Sequence, residues 1–218
     1  MTPIDAVRAA RRSCARIRQH VSGVALIEFA FVFPILLTMG LTGAEITNYI
    51  IVKMRVSQLA LMIADNAARM GSGSQLAAKT ITETDINDLF TGANLQSATL
   101  DLRTNGRVIL SDLEQDPANA NRYKIVWQRC YGLKTTHAST YGNAPTGNLP
   151  GIGPAGRQVT AQADSATMFV EIYYVYKPIV SARLTPGTEL IEIASMAVRE
   201  RRDLSTIYNT ANVLPSTC

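Results

Sequence analysis

The chain has 218 residues, room for one ordinary domain with an appendage and no sign of a second large core. Of its 21 basic residues, Arg8, Arg11, Arg12, Arg16 and Arg18 stand in the first 22 positions against Asp5 alone, and the remainder balances at 16 of each sign, so the basic excess belongs to a short arm and no nucleic-acid-binding face is expected. Cys14, Cys130 and Cys218 lack paired CxxC spacing and His20 and His137 lie far apart, which excludes the usual metal and redox motifs; no cofactor is expected.

Between Arg18 and Lys53 the only charges are Glu28 and Glu45, and Phe29 to Leu41 reads FAFVFPILLTMGL. About 20 mostly apolar residues cross a bilayer as a helix, and residues 24–46 supply them when Glu28 lies near one interface. The arginines before the run place residues 1–23 in the cytoplasm as a basic leader, so that 47–218 form an extracytoplasmic domain. A cleaved signal peptide with a small-residue site at Thr42-Gly43-Ala44 is the competing reading. Against it, Glu28 interrupts the apolar region, and the helical pattern does not stop at residue 44. Val52, Val56, Leu59, Ile63, Ala67 and Met70 recur at three- and four-residue steps, with Lys53, Arg55, Gln58, Asp65 and Arg69 on other faces, until Gly71-Ser-Gly-Ser74 ends the pattern. The expectation is one helix of about 45 residues, roughly 70 Å long, apolar in its first half and amphipathic in its second, with Pro34 as a candidate kink.

Gly23-Val-Ala-Leu-Ile-Glu28-Phe29-Ala30, followed by Pro34 and Glu45, resembles the N-terminal signature of TadE-like proteins, minor pseudopilins of the tight-adherence branch of type IV pili. The resemblance implies cleavage by a prepilin peptidase after Gly23, so that Val24 becomes the first mature residue and Glu28 the fifth, with Phe29 beside it. It further implies a bacterial inner-membrane protein with a single span, and as partners the membrane, the prepilin peptidase, other pilins or pseudopilins and the pilus assembly machinery. Glu28 then sits at i+4 from a new amine on Val24, a helical neighbour with which it can pair within the chain or across to an adjacent subunit. The alternative is that Glu28 reaches the cytoplasmic headgroups near Arg16 and Arg18. Glu45, near the opposite interface, is expected to be hydrated and without a role.

Beyond the glycine-serine break, Thr82 to Phe90 reads as a short helix capped by Thr82 or Thr84 with acids in its first turn. Asn105-Gly106 predicts a tight hairpin between 99–103 and 107–110. Tyr123–Cys130, Ala166–Tyr176 and Leu190–Arg199 are rich in β-formers and predict an antiparallel sheet. The free helix face, Val56, Leu59, Ile63 and Ala67, is its expected cover, giving a pilin-like α+β fold with a long helix laid across the sheet. Residues 131–158 are dense in Gly, Pro, Thr, Ser and Asn and predict a long loop, disordered or at the surface.

Trp127, Tyr173, Tyr174 and Tyr176 are expected to pack on or across strands, the alternative being a contact surface for carbohydrate or protein. Glu171 and Glu192 are expected on solvent faces, and no nucleophile, base and orienting group come together in the sequence, so no enzymatic role is expected. In the topology set by the arginines, Cys130 and Cys218 share the oxidising side and are expected to form a disulfide, the alternative being two unpaired small hydrophobes. Two further functional alternatives stay open: an uncleaved single-pass anchor of the pilus machinery, and a membrane-tethered periplasmic binding module.

Overall fold

The computed structural model describes residues 22–73 and 77–218. Residues 1–21 of the leader, with its five arginines, Cys14 and His20, together with Ser74, lie outside the described residues.

Helix α1, Ser22–Arg69, is a single helix of 48 residues that runs through Pro34. Thr38 donates its hydroxyl to the carbonyl of Pro34 at 2.7 Å, one of the polar contacts by which hydroxyl side chains bond helix backbone in apolar surroundings. The two halves differ in what surrounds them. Every residue from Gly23 to Leu41 is exposed, whereas Val56, Leu59, Ala60, Ile63, Ala64, Ala67 and Ala68 are buried, recurring at the three- and four-residue steps of one helix face.

The far end of α1 is closed by a residue distant in sequence. Buried Arg202 directs one Nη2 to the carbonyls of Ala67, Ala68 and Met70 at 3.1, 3.2 and 2.9 Å, occupying acceptors that the helix end leaves without partners. Gly71 follows with φ of 110°, and a Cβ there would lie 2.8 Å from the carbonyl oxygen of Thr80, so the turn admits only glycine without displacement.

Helix α2, Glu83–Ser97, starts in a reciprocal cap: the Asp85 amide donates to Thr82 Oγ1 at 3.1 Å and the Thr82 amide to Asp85 Oδ2 at 2.9 Å. Its inner face is Ile86, Phe90 and Ala93. Five strands follow, β1 Gly106–Gln115, β2 Tyr123–Tyr131, β3 Thr146–Leu149, β4 Thr167–Val175 and β5 Glu189–Ala197. They form one antiparallel sheet in the order β3-β2-β1-β4-β5.

The long helix laid across an antiparallel sheet is the expected α+β build, but the sheet is covered on both faces. Val108 and Leu110 of β1, Met168, Val170 and Ile172 of β4 and Leu190 of β5 pack with the buried stripe of α1 and with α2. On the opposite face Leu113, Ile125 and Phe169 pack with Ile152, Tyr141 and Leu149 of the glycine- and proline-rich connection and with Val159 just after it. That connection is therefore a built cover that supplies β3, and the expectation of disorder or a surface excursion is corrected. Double coverage also explains why β1 is buried without interruption from Gly106 to Leu113.

The hairpin expected around Asn105-Gly106 does not form. Leu100 and Leu102 are buried in the core, Asp101 takes a left-handed conformation at φ 47°, and Leu102–Asn105 is a short helical turn that leads into β1. Burial of the two leucines overrides the turn preference of Asn-Gly, and β1 pairs with β2 and β4 instead.

Candidate functional site

The apolar half of α1 carries the residues singled out in the sequence. Gly23 lies on the helix, and Val24, Glu28 and Phe29 are exposed on it, with Phe29 stacked on Phe33 one turn on at 5.2 Å between ring centres. A Cβ at Gly23, Gly40 or Gly43 would meet nothing within 4 Å, so packing within the described chain does not call for glycine at those positions. The helix has the length and composition of a membrane anchor.

At the junction between the two halves the structure builds a polar site around Glu45. Glu45 is fully buried, a correction to its expected hydration. The segment after β4 wraps around it: Tyr176 donates its hydroxyl, and the amides of Val180, Ser181 and Ile179 donate at 2.6, 3.2 and 3.4 Å. Asn48, one turn along α1, donates to the Tyr176 hydroxyl at 2.7 Å, and Tyr49 meets the Tyr176 ring edge-on at 5.2 Å. A carboxylate out of water is tolerable when several donors converge on it, and here one hydroxyl and consecutive backbone amides do so. The signal was present in the sequence. Stepping back along the buried face from Val56 by four, three and four residues reaches Val52, Tyr49 and Glu45.

Cys130 and Cys218 are joined in a disulfide with Cα atoms 4.8 Å apart. The tail before Cys218 is held by further contacts: the Cys130 amide donates to the Ser216 carbonyl at 2.7 Å, Ser216 donates to Asn87 Oδ1 at 2.6 Å, and Asn87 donates to the Leu214 carbonyl at 3.0 Å. The tail thus links β2 to α2.

Glu171 is likewise buried rather than on a solvent face, again a correction. Its carboxylate accepts from Ser139 Oγ at 3.0 Å, from the Thr140 amide at 3.0 and 3.1 Å and from the Thr140 hydroxyl, and it lies 3.2 Å from His137 Nε2. His137 stacks on Tyr173 at 4.2 Å. Ser, His and Glu do meet here, yet Ser139 and His137 both turn to the carboxylate, an arrangement that clamps a loop and does not present an activated hydroxyl. Gln128 pins the same loop, donating to the Gly142 carbonyl at 2.9 Å and accepting from the Ala144 amide at 3.0 Å. A groove of about 620 Å³ remains between sheet and loop, with Arg107, Gln128, His137 and Cys218 in its walls. Glu192, by contrast, stays partly exposed, 3.8 Å from Lys53. Tyr174 and Tyr176 are core residues and Trp127 packs against that core, in line with the packing expected for the aromatic strands.

The fold and junction define a class: an α+β protein of pilin-like build, in which an exposed apolar half-helix with the length and composition of a membrane anchor continues into a half packed in the core of the head. Comparison with known families is consistent with this. Residues 23–72 match the model of the family described as TadE-like protein, the family that the Gly23 to Glu28 signature resembles. The match runs from the glycine of that signature to just beyond the last turn of α1, less than a quarter of the chain. Comparison with curated proteins and with solved structures found no match.

Proposed function

We propose that the chain is a minor pseudopilin of the tight-adherence type, inserted by α1 in the bacterial inner membrane with residues 1–23 in the cytoplasm and 47–218 in the periplasm. A prepilin peptidase cuts it after Gly23. The mature chain then joins or primes an adherence pilus through the helix that begins at Val24, in contact with other pilins and the assembly machinery.

The observation that carries this reading is the division of α1. An apolar half that is exposed throughout, and that carries the Gly23, Glu28 and Phe29 signature within the family match, continues without a break into a half built into the head. Such a helix can leave lipid for a filament only if its apolar surface passes from lipid to the helices of neighbouring subunits. Glycine before the cut supports the same reading, since a Cβ there would meet nothing among the described residues and its absence lets the backbone approach a catalytic site without side-chain interference.

The role is structural, with the chemistry done on the chain by the peptidase. N-terminal sequencing or intact mass of the protein from membranes that contain the peptidase tests it, and the expected terminus is Val24. A terminus at Met1 in piliated cells returns the protein to an uncleaved anchor, and one at Glu45 returns it to a secreted protein with a cleaved signal.

A further inference from the structure

The segment that wraps Glu45 has a second surface. Val180 and Ser181 turn their amides inward to the carboxylate, at 2.6 and 3.2 Å, so this backbone is fixed against α1 at the level of residue 45. The side chains at its tip face the other way: Ile179 is 63% exposed and Val180 42%. Outside α1, and among the described residues, the other large apolar side chains that are exposed are single in sequence, at Leu95, Leu133, Ile191 and Leu214. Scattered single residues of that kind are ordinary. An adjacent pair on an anchored tip is not explained by the fold, since Tyr176 and Leu190 on either side already fill the core positions.

Position along α1 supplies the occupant. Glu45 is four residues beyond Leu41, about 6 Å along the helix axis, so the tip stands little more than one turn beyond the last uncharged apolar stretch. Lys177 and Arg183, both exposed, flank it. An apolar tip with a cation on each side, held beside the outer end of a membrane span, matches the headgroup boundary, where apolar side chains enter the acyl edge and lysine and arginine reach the phosphates. We propose that the connection from Lys177 to Leu184 rests on the outer leaflet of the membrane that α1 crosses, with Ile179 and Val180 inserted and Lys177 and Arg183 on lipid phosphates. This rests on the reading of α1 as a membrane span. It gives the head a second point of support besides the helix, which opposes tilting of the head on its anchor.

The test places a reporter tryptophan in the full chain, reconstituted in vesicles of phosphatidylethanolamine and phosphatidylglycerol whose acyl chains carry bromine at a shallow or a deep position. Ile179→Trp is compared with Ile35→Trp in the apolar half of α1 and with Ala120→Trp in the β1–β2 turn at the other end of the sheet; quenching of native Trp127 in the parent is subtracted. The expected result is loss of emission for Ile35→Trp and for Ile179→Trp, the latter strongest with shallow bromine, and none for Ala120→Trp. Adding Lys177→Glu and Arg183→Glu should lessen the Ile179→Trp loss in anionic vesicles. Quenching at residue 35 with none at 179 overturns this inference and leaves the membrane span standing, while none at 35 removes the span itself. Emission from 179 that shifts to the blue without bromine quenching assigns the tip to a second protein surface and also overturns the lipid assignment.

Discussion

Replacing Cys130 and Cys218 together with alanine removes a cross-link between residues 88 positions apart in sequence. In the chain-entropy treatment a loop of that length restricts the unfolded ensemble by roughly 4 to 5 kcal/mol. The folded state keeps its other tail contacts, Ser216 on Cys130 and Asn87 and the carbonyl of Leu214 on Asn87, so the substitution subtracts the constraint without exposing the core. With a urea dependence of about 2 kcal/mol per molar for a domain of this size, the unfolding midpoint should fall by roughly 2 M. Trp127 lies three residues from Cys130 on β2 and is partly buried against the core, so its emission reports the transition in micelle-held full chain. Reductant should move the parent to the midpoint of the double variant and leave the variant unmoved. A midpoint that does not change on substitution, or thiol label found on Cys130 or Cys218 of protein taken unreduced from the envelope, refutes the argument together with the periplasmic placement of the head.

Glu28→Ala should leave insertion intact, because the segment becomes more hydrophobic, while pilus assembly drops; pili and adherence equal to the parent would show that the carboxylate only meets headgroups. Glu45→Leu should keep the head folded but speed amide exchange at Val180 and Ser181, which lose their acceptor, and unchanged exchange there would refute the clamp. Burial, and then the neighbouring Glu114, hold the Asp112 carboxyl well above its ordinary 3.8, so the folded state keeps a proton that the unfolded state releases and stability falls as pH rises from 3.8 through the folded-state value. Asp112→Asn should flatten that fall in melting temperature against pH; an unaltered slope contradicts it. Glu171→Ala should cost roughly 3 kcal/mol by stranding the donors of Ser139 and Thr140, and should expose residues 131–158 to protease; a loop as resistant as the parent's would show that the clamp is dispensable.

What was legible in the sequence was whatever periodicity carries. The stripe from Val56 to Ala67, the three long strands and the Thr82 cap follow from spacing and from residue types that act within a turn or two. The loop was not legible because its order comes from buried polar residues of the sheet, Glu171 and Gln128, that reach out to it; an acid at mid-strand reads as a solvent-facing residue until a partner far along the chain is known. The Asn105-Gly106 turn failed for the complementary reason, since a local preference of this kind yields to burial of Leu100 and Leu102. Glu45 falls between the two cases: its place on the buried face could be read by extending the stripe, but its donors, on residues 176 to 181, could not.

That clamp matters because the apolar stripe of the α1 interface is poor at setting its own register. Val52, Val56, Leu59, Ala60, Ile63, Ala64 and Ala67 are all small or aliphatic, and a slide of α1 by one turn would bring one such side chain close to where another had been. The same slide carries the Glu45 carboxylate about 5.4 Å away from the amides of Val180 and Ser181 and leaves it without donors in a site closed to water. Apolar contacts therefore supply most of the adhesion between helix and head, whereas the polar contacts, Glu45 at one end and Arg202 on the carbonyls of Ala67, Ala68 and Met70 at the other, discriminate among registers that the apolar contacts would accept almost equally. The register in turn sets how much helix stands clear of the head. From Val24 to Ala44 there are 21 residues, roughly 30 Å of helix, the thickness of a bilayer core. With α1 as the proposed membrane span, a head fixed one turn lower would draw the last of that span into its own packing and pull Glu28 toward hydrocarbon, and one fixed a turn higher would leave Glu45 in lipid without partners. The buried acid at the junction thus sets the bare length of α1, which equals the thickness of a bilayer core.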